Sequence, residues 1–139
     1  MAYSFEVAGQ VAASPPEVFD AWMSSAGHTA MTGGQAHVDP HVGGSFDAWN
    51  DYIHGTTIAL EPPRRVVQTW RSANFGDDDG DSQIEVTFVA NEEGTLVTVR
   101  HSNVPEGDLG YENGGWQQNY FTPMKAYFAS DESTTRRRT

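Results

Sequence analysis

The chain has 139 residues, with 8 Lys and Arg against 19 Asp and Glu, and hence a formal charge of −11. That balance excludes nucleic-acid binding through a basic face, and the absence of Cys excludes disulfides, thiolate nucleophiles, iron–sulfur clusters and Cys-based zinc sites. With 37% hydrophobic and 12% aromatic residues, a chain of this length buries roughly two-thirds of its unfolded surface, enough for a single domain, assigned to residues 1–129.

Tyr3 to Val11 alternates polar and apolar residues, with Phe5, Val7, Gly9 and Val11 on one side, and predicts a half-buried strand. Ser14-Pro15-Pro16-Glu17 is a helix start: Ser14 can cap, the prolines need no amide partner in the first turn, and Glu17 stands at the capping-box position. Val18, Phe19 and Trp22 give that helix an apolar face. The small residues from Ser24 to Gly34 end it, with room for one further short turn. From Gln35 to Asn103 the pattern turns to β, and strands are predicted at Ala36–Asp39, Ser45–Asn50, Ile53–Glu61, Arg65–Ser72, Ser82–Ala90 and Thr95–Ser102. Ile84, Val86, Phe88 and Ala90 are the expected inward set of the fifth of these.

The last element, Glu112 to Phe128, places Trp116, Tyr120, Met124 and Tyr127 on one face of a helix. Pro123 cannot donate to the carbonyl of Asn119, so a bend is expected at Phe121–Met124. Residues 130–139, SDESTTRRRT, contain no apolar side chain and are expected to be disordered. No stretch approaches the roughly 18 apolar residues of a membrane helix, and the N-terminus lacks the pattern of a secretory signal. A cytoplasmic protein with no membrane partner is therefore expected. The element order is that of an α+β fold, a curved antiparallel sheet of about six strands packed on a long C-terminal helix.

The sequence offers few handles for chemistry. His37 and His41 would form a zinc pair on a helix, but Pro40 between them argues for an extended loop, where they stand roughly 13 Å apart. A calcium loop starting at Asp77 would need Gly and Glu where Ser82 and Phe88 stand. Gly43-Gly44-Ser45-Phe46 lacks the spacing of a nucleophile elbow, and neither a phosphate loop nor a dinucleotide fingerprint follows any strand. No cofactor or metal is expected. His54 and His101 lie in strands, where an inward imidazole could orient a ligand or act as a base. The most suggestive feature is the set of large aromatics, which either close the core or line a space within it.

The segments SPPEVFDAW at 14–22, VGGSF at 42–46, IHGTTIALEPPRRVVQTWR at 53–71, GTLVTVRHSNVP at 94–105 and GWQQNYFTPMKAYF at 115–128 together resemble the family of homologues of the activator of heat-shock-protein-90 ATPase. That family belongs to the START-like superfamily, also called SRPBCC or birch-pollen-allergen-like. The resemblance implies a helix-grip fold, with Gly43, Gly44, Gly55 and Gly94 at turns and close approaches and Trp70 and Trp116 as core or cavity wall. It implies no catalytic residue set.

Three functions follow as expectations. The first is binding of a small apolar ligand between sheet and C-terminal helix, lined by Trp22, Phe46, Trp49, His54, Trp70, Phe88, Trp116, Tyr120 and Met124, which requires an enclosed space of at least about 300 Å³. The second is a protein-interaction module for a heat-shock-protein-90-type ATPase, implied by the resemblance. The third is a cavity enzyme, such as a cyclase or hydrolase, using His54 or His101 beside a carboxylate. Monomer and homodimer both fit the sequence.

Overall fold

The computed structural model describes residues 2–49, 52–73, 75, 80–105 and 115–129. Strand β1 (Ala2–Val11) leads into α1 (Pro15–Trp22) and α2 (Ser25–Thr32). Strands β2 (His37–Val38), β3 (Ser45–Ala48), β4 (Ile53–Glu61), β5 (Arg65–Ser72), β6 (Ser82–Asn91) and β7 (Gly94–Pro105) follow. All seven form one sheet in the order β1-β7-β6-β5-β4-β3-β2, every pairing antiparallel. The expected α+β architecture is present: each of the seven segments read as strands has a counterpart, and all seven join one sheet where about six were expected to. Among the described residues no helix is long and apolar enough to cross a membrane.

Alternation dictates the two faces. Ile84, Val86 and Phe88 of β6 and Val97, Val99 and His101 of β7 point inward and are buried, whereas Ala90, expected inward, is exposed at the end of β6 next to the β6–β7 turn. Helix α1 begins as its sequence requires: the carboxylate of Glu17 accepts hydrogen bonds from the amide and hydroxyl of Ser14 at 3.0 Å, and Val18, Phe19 and Trp22 go into the core. The small-residue stretch after it holds a full helix, α2, rather than a single turn. Ser24 caps it by accepting from the amide of Gly27 at 2.7 Å, and it buries His28, Met31 and Thr32.

Among the described residues the C-terminal helix is wound from Gly115 onward. The expected start at Glu112 lies outside the described residues, as do residues 76–79 of the expected acidic loop, the Asn50-Asp51 turn and residues 130–139. Pro123 is met by a change of winding. Gln117–Phe121 is a π-helical segment in which the amide of Thr122 donates to the carbonyl of Gln117, five residues back. The segment runs into α3 (Thr122–Phe128), whose first turn takes the proline, where a missing N–H costs least. Phe121 and Thr122 keep right-handed helical dihedrals through the junction.

Two glycines permit this packing. Phe121 lies over Gly9 of β1, where an added Cβ would stand 2.7 Å from its ring. At Gly55 of β4 a Cβ would stand 2.1 Å from the carbonyl oxygen of Thr69 on β5 and 2.8 Å from the ring of Phe46. Because the nearer obstacle is backbone, β4 would have to move away from β5. Gly55→Ala is expected to cost about 1–3 kcal/mol, read as a lower urea midpoint at unchanged m-value; an unchanged midpoint would show that β4 shifts freely.

Candidate functional site

The space between sheet and C-terminal helix is occupied by aromatic rings. Trp70 of β5 and Trp116 have ring centroids 4.9 Å apart, Trp116 and Tyr120 4.9 Å, and Trp22 and Tyr120 5.2 Å. Trp22 stacks on Trp116 at 6.4 Å with an interplanar angle of 18°. Phe88 meets Trp22 edge-on at 6.4 Å, and Phe46 tilts against Trp70 at 6.1 Å. Offset and edge-to-face arrangements at such separations are the favourable ones. Met124 completes the core above them. Seven of the nine residues expected to line a ligand space are thus together, and Trp22, Phe46, Trp70, Phe88, Trp116, Tyr120 and Met124 are each 5% exposed or less. Side chains around a ligand-sized void would keep accessible surface; these keep almost none.

The remaining two stand elsewhere. Trp49 is half-buried at the rim, its backbone at φ +58°, with its ring 6.4 Å from Tyr120. His54 is exposed on the outer face of the sheet, between Asp47 of β3 and Arg71 of β5 in register. The inward positions of β4 are Ile53 and Thr57, and a side chain one residue from Ile53 must point the other way.

The polar groups of Trp22, Tyr120 and Trp116 and of the imidazoles of His28 and His101 have partners, in three hydrogen-bonded chains. The Trp22 indole N–H donates to Gln68 Oε1 at 3.0 Å, and Gln68 Nε2 donates to Thr57 Oγ1 at 3.2 Å. Tyr120 and His28 are joined at 2.8 Å, and His28 Nδ1 lies 3.0 Å from the Trp22 carbonyl. A carbonyl only accepts, so Nδ1 carries the hydrogen and Nε2 accepts from the Tyr120 hydroxyl. The Trp116 indole N–H donates to His101 Nδ1 at 3.1 Å, His101 Nε2 is 2.8 Å from Ser82 Oγ, and the Ser82 hydroxyl donates to the Trp70 carbonyl. An indole only donates, which assigns the hydrogen to Nε2 of His101 by inference from its partners.

Both imidazoles are therefore held neutral. Burial lowers the pKa of His28 from 6.5 to about 4, with the bond to the Trp22 carbonyl opposing that shift, and lowers that of His101 to about 3. Ser82 and His101 sit at the distance of a nucleophile and its base, but the polarity is reversed. The imidazole donates to the hydroxyl, the hydroxyl is committed to a backbone carbonyl, and Ser82 is 1% exposed. His28, Gln68 and Ser82 were not singled out in the sequence. Gln68 shares the inward parity of Val66 and Trp70, which was the available signal; His28 had none, because the small-residue stretch around it offered at most one further short turn and no apolar face.

The outer face of the sheet carries a charged ladder as well as exposed apolar residues. Glu6, Arg100, Glu85, Arg65 and Glu61 form a ladder of alternating charge across β1, β7, β6, β5 and β4. His37 pairs with Asp47 at 3.1 Å and His41 with Asp39 at 2.7 Å, at exposed positions. Among the described residues no three His, Asp or Glu side chains converge as metal ligands would. A groove of about 570 Å³ runs between α1, α2 and the end of α3, with Glu17, Asp20, Ala30 and Tyr127 on its sides.

Residues 12–129 match the family of Activator of Hsp90 ATPase homolog 1-like proteins. The chain is 26% identical over 117 residues to an activator of 90 kDa heat shock protein ATPase homolog from Dictyostelium discoideum, covering 84% of this chain and 30% of that protein. It is 24% identical over 115 residues to activator homolog 1 from Homo sapiens, covering 83% and 34%. The chain thus spans about a third of the length of these relatives. An HSP90 activator from Plasmodium falciparum superposes with a TM-score of 0.77 at 27% identity, over 86% of this chain and 91% of that one. CalU16 from Micromonospora echinospora shares the fold, with a TM-score of 0.73 at 21% identity over 97% and 82%. With the match extending from the end of β1 through α3, the chain belongs to the Activator of Hsp90 ATPase homolog 1-like family.

Proposed function

We propose that this domain acts through its surface, as a docking module for a chaperone ATPase of the 90-kDa heat-shock type. The observation that supports the reading is the packing of the described interior: the rings of Trp22, Trp70, Trp116 and Tyr120 are in mutual contact, and the polar groups of Trp22, Tyr120 and Trp116 are hydrogen-bonded to Gln68, His28 and His101. The relatives named as activators of this ATPase support the choice of partner. A contact surface is available on the outer face, where Val89 and Leu96, 56% and 38% exposed, stand opposite each other on β6 and β7. Binding an apolar molecule inside would require Trp116 and Tyr120 to part from Trp22 and Trp70, so carriage of a ligand is the competing reading.

One experiment separates the two. The purified chain is titrated into the heat-shock-protein-90-type ATPase of its own host by calorimetry at low and at physiological salt, and native mass spectrometry is run on the chain alone. Docking predicts a complex at micromolar concentration that Val89→Asp weakens at least about tenfold without lowering thermal stability. No heat of binding at low salt, together with a co-purifying apolar compound, would replace docking by carriage.

A further inference from the structure

We propose that the free edge of β1 takes up an extended, cationic segment of the docking partner as an eighth strand of the sheet. The proposal rests on the docking reading above and names the place and form of the contact. Which backbone groups of β1 are free follows from the register. The β6–β7 turn closes on the pair Asn91 and Gly94, and the closing pair of a two-residue turn exchanges both of its backbone hydrogen bonds. Along β7 in steps of two, Leu96, Thr98 and Arg100 then turn their backbone groups toward β6, while Thr95, Val97, Val99 and His101 turn theirs toward β1. Their partners Val11, Gly9, Val7 and Phe5 are the bonded residues of β1. Glu6, Ala8 and Gln10 direct N–H and C=O out of the sheet.

Gln117 agrees with this parity. At the start of the π-helical segment, it donates from Nε2 to the Ala8 carbonyl at 3.3 Å. Among the described residues it is the one hydrogen-bond partner of the outward backbone groups of Glu6, Ala8 and Gln10. A strand of ten residues with a single charged side chain, Glu6, is the kind of edge that another chain can pair with. The outer face points to the occupant. Val89 of β6, Leu96 of β7 and Gln10 of β1 lie opposite one another in a single row, so a strand added at β1 continues the contact surface already proposed. With 19 acidic residues against 8 basic ones, the chain favours a cationic segment. Because Gln117 overhangs the edge, a second copy adding its own β1 would bring a second Gln117 and its helix to the same place. A lone extended segment meets only one.

Hydrogen–deuterium exchange is run on the full chain, alone and with the heat-shock-protein-90-type ATPase of its own host, then quenched and read residue by residue. In the free chain the amides of Phe5, Val7, Gly9 and Val11 are expected to be protected and those of Glu6, Ala8 and Gln10 to exchange freely. In the complex, protection at Glu6, Ala8 and Gln10 should rise at least about tenfold. Ala8→Pro removes one outward N–H and sets a ring on the edge while leaving the hydrogen bonds to β7 in place. Its melting temperature should stay near that of the unsubstituted chain, and calorimetry should show binding weakened at least about tenfold. Affinity should also fall from low to physiological salt. Unchanged binding by Ala8→Pro, or a complex in which the three amides stay unprotected, would overturn the edge and leave docking standing. An affinity that salt does not lower would overturn the cationic segment. No binding by the unsubstituted chain at low salt would overturn docking and the edge with it. Protection of the three amides in the free chain would show the edge already occupied, by a second copy or by another part of this chain, and would overturn the proposal too. Should Ala8→Pro not fold, exchange in the unsubstituted chain decides alone.

Discussion

Trp116→Ala is expected to lower stability by about 3–5 kcal/mol, the range for a buried Trp truncated to Ala. The ring touches Trp22, Trp70, Tyr120 and His101, and its indole is the donor to His101 Nδ1. The substitution therefore removes stacked area, opens a void and leaves a buried acceptor without that donor, an added cost of roughly 1–3 kcal/mol that overlaps with the first. The measurement is urea unfolding monitored by circular dichroism, repeated with indole in the buffer. Partial recovery of the midpoint with indole would locate the loss in the void. A loss below about 1 kcal/mol would mean that the rings are not load-sharing neighbours, and carriage of a ligand would regain its ground.

Stability is expected to fall by about 4 kcal/mol between pH 7.5 and pH 5 on account of His28 and His101 together. Both imidazoles have folded values depressed below the ordinary 6.5, His28 to about 4 and His101 to about 3, chiefly through burial. As the pH drops through 6.5 the unfolded chain takes up two protons that the folded chain refuses, so acid favours unfolding. The loss deepens until the folded chain also accepts them, near pH 4 for His28 and near pH 3 for His101. The full contributions are about 3 and about 5 kcal/mol, at 1.36 kcal/mol per pH unit. Protonation of surface carboxylates changes a charge of −11 over the same range, so the comparison is made against His28→Gln and His101→Gln, each of which should remove about 2 kcal/mol of the difference at pH 5. Parallel pH profiles for wild type and both variants would show that the imidazoles are not held neutral.

The sheet was legible because alternation is local. Ile53–Glu61 and Arg65–Ser72 have the bounds that their punctuation predicts, and Ile84, Val86 and Phe88 lie on the face their parity requires. Helix α2 was not, since Ser25 to Thr32 has few apolar residues and owes its structure to the Ser24 cap and to His28 and Met31 meeting the core. The π-helical turn before Pro123 was equally hidden, because a missing amide says that the winding must yield and leaves open whether by a bend or by a wider turn. The candidate site divides in the same way. Membership of the aromatic cluster could be read from period and residue type, and His54 was misplaced by one step of that period. Whether the rings line a space or fill it depends on how side chains from five elements fit, which no single stretch of sequence encodes.

The order of the sheet also governs how the molecule is made. Among the described residues strand β1 precedes the other elements and pairs with the last strand, β7, with Phe5 facing His101 and Val11 facing Thr95. During synthesis β1, α1 and α2 emerge before β7, and the apolar side of β1 has to wait until that strand has been translated. The hairpins from β3 to β7 can form as they appear, since each strand pairs with its neighbour in sequence. Closure across nearly the whole length is therefore expected to be the slow step in assembling the sheet. In the interval the nascent chain carries an unpaired strand edge, the kind of species that holding chaperones retain.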